Sequence, residues 1–501
     1  MMMSFKFIPS SPTMPLIPFL LVFTLIFSST VSGFSLGEDR YRRPDPLHGF
    51  KDYVGTYNVT DKHYWASAMY TGVHGYAIAV AWVICGVGLG IVWALKNGGA
   101  QLAAIRDFLD YYHLPMFFLL LIFTVLALAA TIIVAIANQS SLHKTEELKG
   151  TIVKVAKETH RTIQSVVLAM STIQSLLRPY QPDTSLRLYN ITHLLADDSN
   201  TIKEYVAKSS HSMDIAIETS HMVHFVVVIV NLAFLVASIP VLFLHWHPGF
   251  ILTILTCWIL TTMYWILTGV DFFLHTFAED TCKAFHSFVE NPHNNSLSSI
   301  IPCMDTPEAN ELLAEVGGTI HSFISDLNSK ISSSDLMFVQ EASNMDIKGV
   351  CDPFSGSSGQ IFVPGSCPTD FISVGEMTNM LLSLTCPEGS NLETCGMNGK
   401  VIPKSVSMMA IAYSRSAEVA IDVFPELESL TKCMLVKGTL ADVVDDQCGP
   451  FKMSMLILWI AMLCVSIFMT IFVLGWVTKS YQERDRRFSA CSIWPNLRAQ
   501  A

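Results

Sequence analysis

Residues 225–270 read FVVVIVNLAFLVASIPVLFLHWHPGFILTILTCWILTTMYWILTGV, without a single Lys, Arg, Asp or Glu. The stretch divides at His245-Trp-His247-Pro into Phe225–Leu244 and Gly249–Val270. Each half can cross a hydrocarbon core of roughly 30 Å at about 1.5 Å per residue. A soluble core helix of that length would carry a polar face. Working outward, three more runs have the same character: Gly75–Leu95, Pro115–Ala137 and Met453–Val477. The expected fold is an all-α membrane protein with five transmembrane helices in a 2+2+1 order. Two large, mainly helical extracellular loops separate the groups, and the second is disulfide-rich.

The rest of the chain orients these spans. Leu16–Phe27 is too short to span comfortably and is followed by small residues, so 1–33 reads as a signal peptide. An uncleaved anchor is the competing reading. Either way, the chain from about Phe34 onward starts outside the cytosol. Alternate crossings by 75–95, 115–137, 225–244, 249–270 and 453–477 then leave 34–74, 138–224 and 271–452 outside. The loop 96–114, the turn 245–248 and the tail 478–501 fall inside. The tail carries Lys479, Arg484, Arg486 and Arg487 near the last span, as a cytoplasmic flank should. The sequons at Asn58, Asn138, Asn190 and Asn294 all fall outside, with Asn138 close to the bilayer. The expected address is the plasma membrane, reached through the secretory pathway.

Cysteine placement agrees. Of 12 cysteines, eight lie in 271–452: Cys282, Cys303, Cys351, Cys367, Cys386, Cys395, Cys433 and Cys448. An even number confined to one lumenal segment points to four disulfides, whose pairing the spacing leaves open. Zinc competes poorly, since no C-x-x-C pair exists. Residues 272–452 hold 23 Asp/Glu against 9 Lys/Arg, close to −14 of a whole-chain −11. Such a surface keeps an ectodomain soluble and argues against nucleic acid as a partner.

Helical periodicity runs from Ser141 to Leu177, where Pro179 and Pro182 break it, and resumes from Leu188 to Ile217. The first loop is therefore a helical hairpin, with arms of some 40 residues and roughly 60 Å of reach. In the second loop Thr306–Ser329, Met377–Leu384 and Ser405–Leu430 return to helical spacing. Gly349–Pro368 between them reads as irregular and held by its cysteines.

No H-E-x-x-H, G-x-S-x-G or Walker-type loop is present, so no enzyme and no cofactor are expected. Gly86-x-x-x-Gly90 sits inside the first span and fits close helix packing, within one chain or across a homodimer. Polar groups near the bilayer stand out because burying one costs up to several kcal/mol unless it finds a partner. Asn231 is expected to hydrogen-bond across to a neighbouring helix. Asp271, with His275 one turn on, is either a water-exposed interfacial carboxylate or part of an ion or lipid pathway. His221 and His224 lie at a similar depth.

Five spans ordered two, long loop, two, long cysteine-rich loop, one resemble the plant tweety/prominin-like five-span transmembrane proteins. The architecture is also similar to the fungal plasma membrane fusion protein. The resemblance covers 34–480 in layout, with no diagnostic motif. It implies a non-enzymatic organiser, adhesion or fusion factor that contacts membrane lipids, sterol among them. The tweety side of the resemblance implies an anion (chloride) channel as the alternative. The uncharged spans, with little polar periodicity, argue mildly against a water-filled pore.

Overall fold

The computed structural model describes residues 42–95, 113–244, 247–292, 297, 307–332, 349–355, 361–363, 371–383, 385–387, 402–431 and 433–491. The expected signal peptide, most of the 96–114 loop, Asn294, Cys303, Cys367 and Cys395 lie outside these residues.

In chain order the elements are β1 (Arg43–Asp45), β2 (Lys51–Tyr53), α1 (Lys62–Tyr70), α2 (Val73–Leu95), α3 (His113–Leu177), α4 (Pro182–Leu244), α5 (His247–Glu290) and α6 (Pro307–Ser332). Then come β3 (Gly349–Val350), β4 (Phe354–Ser355), β5 (Ile361–Phe362), β6 (Phe371–Ile372), α7 (Val374–Ser383), α8 (Lys404–Thr431), α9 (Met434–Asp442) and α10 (Cys448–Cys491). Among the described residues, four helices are long and apolar enough to cross a membrane: α3, α4, α5 and the stretch that includes α10. A fifth arises if α1 and α2, which meet at a 60° bend, count as one. This is compatible with a multi-pass membrane protein.

Helix ends follow local chemistry. Asp61 caps α1 by accepting the His63 N–H at 2.9 Å. At the end of α3 the Leu177 carbonyl accepts from Tyr180 and Gln181, and α4 opens on Pro182, where a missing N–H costs nothing. The connection expected at 245–248 is narrower than its sequence boundaries. α5 already begins at His247, because Pro248 is tolerated in a first turn. A five-residue π segment, Val443–Gln447, leads from α9 into α10.

The described residues form two compact units. The first comprises residues up to Leu148, Met213–Phe285 and Val443 onward. Its core is apolar packing between helices: Trp82 of α2, Leu120, Ala127 and Val134 of α3, Val228 and Leu235 of α4, Phe250, Cys257 and Tyr264 of α5, and Met462, Val465, Phe472 and Trp476 of α10. The opposite faces stay open. Ile84 and Ile91, Ile122 and Ile136, Phe225 and Val236, Leu252 and Leu255, and Met453 and Ile457 are all exposed. So much uncovered apolar surface on parallel runs of helix suits a lipid solvent rather than water.

The start of α2 and the turn before it meet α5 at glycines. A Cβ on Gly72 would stand 2.2 Å from the Gly269 carbonyl oxygen, and one on Gly75 would stand 2.5 Å from the Gly269 nitrogen. Beyond the apolar part of α5, the β1–β2 hairpin and α1 form a cap. Gly49 (φ 68°) turns the hairpin in the left-handed region. Arg43 grips the buried Asp280 with both nitrogens, at 2.7 and 2.5 Å. The Tyr64 hydroxyl donates to the same carboxylate at 3.0 Å, and Trp65 stacks on Phe277. Burial and then the Asp280 charge push the Tyr64 phenol far above its ordinary range. Just past the cap, Cys282 of α5 is bonded to Cys448 of α10, with Cα atoms 5.7 Å apart.

The second unit comprises Lys149–Ser212 and His286–Asp442. Within it, the segments of α3 from Lys149 and of α4 up to Ser212 pack through Ile163, Val166 and Leu195, with Leu427 of α8. A second cluster gathers Ile320 and Ile324 of α6, Val350, Phe354, Met377 of α7, and Ala417 and Phe424 of α8. The stretch expected to be irregular, Gly349–Pro368, contains strands instead. β3 pairs in parallel with β6, and β4 pairs antiparallel with β5. Two-residue strands leave almost no periodicity to read, and the pairing is held by partners such as Asn328, which bonds both the N–H and the carbonyl of Val350. Cys351, Cys386 and Cys433 are disulfide-bonded too.

Candidate functional site

Within the first unit, a seam of polar side chains runs through the apolar helix packing. Its chemistry begins with Asp271, the first residue after the apolar part of α5. Asp271 and His224 of α4 are each 1 % exposed, with the imidazole Nε2 3.0 Å from one carboxylate oxygen and 3.2 Å from the other. The ring's other nitrogen, Nδ1, lies 2.8 Å from the Ser220 carbonyl one turn earlier. A carbonyl only accepts, so Nδ1 carries the hydrogen there. The contact at Nε2 is then attractive only with one proton between ring and carboxylate, residing on either.

Deeper in the packing, Asn231 of α4 donates from Nδ2 to the Thr131 hydroxyl of α3 at 2.9 Å. Thr131 in turn donates to its own Ala127 carbonyl. The Tyr264 hydroxyl of α5 lies in reach of Thr131 and Asn231, without a well-formed hydrogen bond to either. Geometry decides here: the three groups are neighbours, and the phenol is under-satisfied. Elsewhere along α5, Thr268 meets the Ser466 hydroxyl of α10 at 2.8 Å, and the Trp265 indole donates to Thr470 at 3.1 Å. A buried hydroxyl or amide without a partner is costly, so these pairs fix which helix faces which.

The sequence candidates fall into three groups. Asn231 and Asp271 both belong to the seam. Asp271 is buried against His224 and is therefore not a water-exposed interfacial carboxylate. His275 turns elsewhere: its ring lies parallel to Trp459 of α10, 5° between planes, and its Nδ1 is buried without a hydrogen-bond partner. Of the two packing glycines, Gly86 faces the Trp258 indole of α5, while nothing lies within 4 Å of a Cβ built on Gly90. Gly72, Gly75 and Gly269, which do form the tight crossing, carry no sequence signal. Gly72 and Gly75 lie at the turn into α2 and Gly269 on α5, nearly 200 positions away, and only packing brings them together.

The sequons sort by exposure. Asn138 is buried, 6 % exposed, and its Nδ2 donates to the His221 carbonyl. A glycan needs the nitrogen that this bond uses. Asn190 is exposed on α4, and Asn58 is half-buried in a turn in which its Oδ1 accepts from the Thr60 N–H and hydroxyl.

Among the described residues, no group of three or more His, Cys, Asp or Glu is arranged to hold a metal ion. Comparison with known proteins adds no assignment: no family model matches the chain, and no curated protein matches it.

Proposed function

We propose that this chain is a non-enzymatic plasma-membrane protein that crosses the bilayer five times. In this reading both large helical loops and the N-terminal segment lie outside. It acts as an organiser, adhesion or fusion-type factor in contact with membrane lipids, in the manner of the tweety/prominin-like proteins that its layout resembles. One observation supports this over a conducting role: the centre of the helix packing is filled. Trp265, Trp476, Tyr264, Phe250, Phe472, Leu235 and Met462 are all less than 2 % exposed there. The seam's polar groups bond to one another across helix pairs, whereas a hydrated path would present them to water.

Two experiments test the reading. Glycosylation mapping with Asn→Gln variants should remove one glycan at Asn58 and one at Asn190, and none at Asn138. Unmodified wild-type protein from a secretory host would overturn the orientation. Purified protein in liposomes should pass no chloride. A flux abolished by substitutions in the apolar helices would replace the organiser with an anion channel.

A further inference from the structure

We propose that His224 and Asp271 form a proton-binding site whose occupancy controls the contact between α4 and α5. The proposal does not depend on the organiser reading, nor on which side of the membrane the pair faces. It rests on the geometry of a fully buried pair. With Nδ1 committed to the Ser220 carbonyl, a shared proton makes the site neutral and mutually attractive. When that proton is lost, a nitrogen lone pair faces a carboxylate in surroundings that screen poorly, and the two must part or admit water. When a second proton is added, the carboxylic acid meets an imidazolium and most of the attraction goes. The contact therefore exists over a band of pH and fails above it.

The neighbours of the pair concentrate the effect on one interface. α4 is held to α3 by bonds that do not titrate: Asn138 Nδ2 to the His221 carbonyl at 3.2 Å, and Asn231 to Thr131 at 2.9 Å. α5 is held to α10 by Thr268–Ser466, Trp265–Thr470 and the Cys282–Cys448 bond, which are likewise indifferent to pH. The His224–Asp271 contact links these two assemblies and is the link that titrates. The other titratable groups nearby are Tyr76 of α2, which feels the Asp271 charge, and His74 of α2, edge-on to Phe272 at 4.8 Å. His221 lies one turn earlier on α4. His275 lies one turn later on α5, with Glu279 and Lys452 as charged neighbours. α4 runs unbroken from Pro182 to Leu244, so release at His224 acts on a helix that extends far beyond the apolar packing.

The test uses the full chain in lipid nanodiscs. Thermal unfolding is followed from about pH 5 to about pH 9, the range an imidazole site commands, for wild type, His224→Gln, Asp271→Asn and the double variant. Wild type should unfold at a higher temperature than His224→Gln near the middle of the range, and the gap should close as pH rises. Asp271→Asn should resemble His224→Gln, and the double variant should be no worse than either. A gap of constant size across the range, or additive losses in the double variant, would overturn the proposal. If the variants do not fold, nitrogen-15 histidine spectra of the wild type decide. His224 should titrate apart from the exposed His193, and coincident titration would sink the idea.

Discussion

Gly75→Ala tests the packing account most directly. An ideal Cβ at position 75 would stand 2.5 Å from the Gly269 nitrogen, 2.7 Å from its Cα and 2.7 Å from the Trp265 carbonyl oxygen, all backbone of α5. Carbon contacts settle at about 3.5–4.0 Å, so α2 must retreat by about 1 Å. The obstacle is main chain, which cannot swing aside as a side chain would. Overpacking of this kind costs about 1–3 kcal/mol. At roughly 2–4 °C per kcal/mol for folded units of 150–250 residues, the melting temperature in nanodiscs should fall by about 2–12 °C. Gly269→Ala should behave alike, because its Cβ would lie 2.7 Å from the Gly72 carbonyl oxygen. Gly90→Ala is the control. Nothing lies within 4 Å of its Cβ, and alanine is the better helix former by about 1 kcal/mol, so no fall is expected. Gly86→Ala should lie between, since the Trp258 ring it meets can rotate. If Gly75→Ala melts with the wild type while Gly90→Ala falls, the crossing has been misassigned and the G-x-x-x-G pair is the true contact.

Other outcomes follow from the cap and the cross-link. Cys282 and Cys448 are 166 residues apart, a loop whose closure is worth about 5 kcal/mol at most in the chain-entropy view. Non-reduced peptide mapping should recover the linked pair, and the double Cys→Ser variant should melt well below wild type. Arg43→Ala leaves Asp280 buried with one cationic partner removed, a loss of up to about 3–5 kcal/mol; amide exchange should quicken across residues 43–70 and much less in the core helices. At Asp45, burial works to raise the carboxyl, but His63, the Leu47 N–H and His48 outweigh it and hold the group below the usual carboxylate range. Its stabilisation is therefore present above the unfolded carboxylate's range and is lost as pH falls through the lower folded value. Acid should free the cap in wild type, and Asp45→Asn should remove that part of the acid response, as read by exchange at α1. The Tyr53 phenol, raised to about 12 by burial and by Asp61, should show no ionisation in ultraviolet titration at pH values where an ordinary tyrosine ionises.

Most of the helical layout was legible in the chain because its cause is local. An uncharged run such as Phe225–Leu244 stays apolar whatever it touches, and Pro179 with Pro182 ends a helix wherever it lies. The same holds for the acidic, cysteine-rich character of 272–452. The two-residue strands near Val350 and Phe354 escaped because nothing that short carries a period. The site was half legible: Asp271 and Asn231 stood out as polar groups in apolar surroundings, which mattered before any partner was known. Their partners did not stand out. Pairing Asp271 with His224 depends on the rotation of α4 and α5 about their axes, and a rotation of one residue step, about 100°, would have turned the two side chains apart. The glycines at 72, 75 and 269 meet only because two distant segments cross there, and Asn138 is buried only because α4 lies against it. Composition along the chain set which segments are helical and apolar. The choice of neighbour belonged to the packed structure, since in apolar surroundings each buried polar group must find its one partner in space.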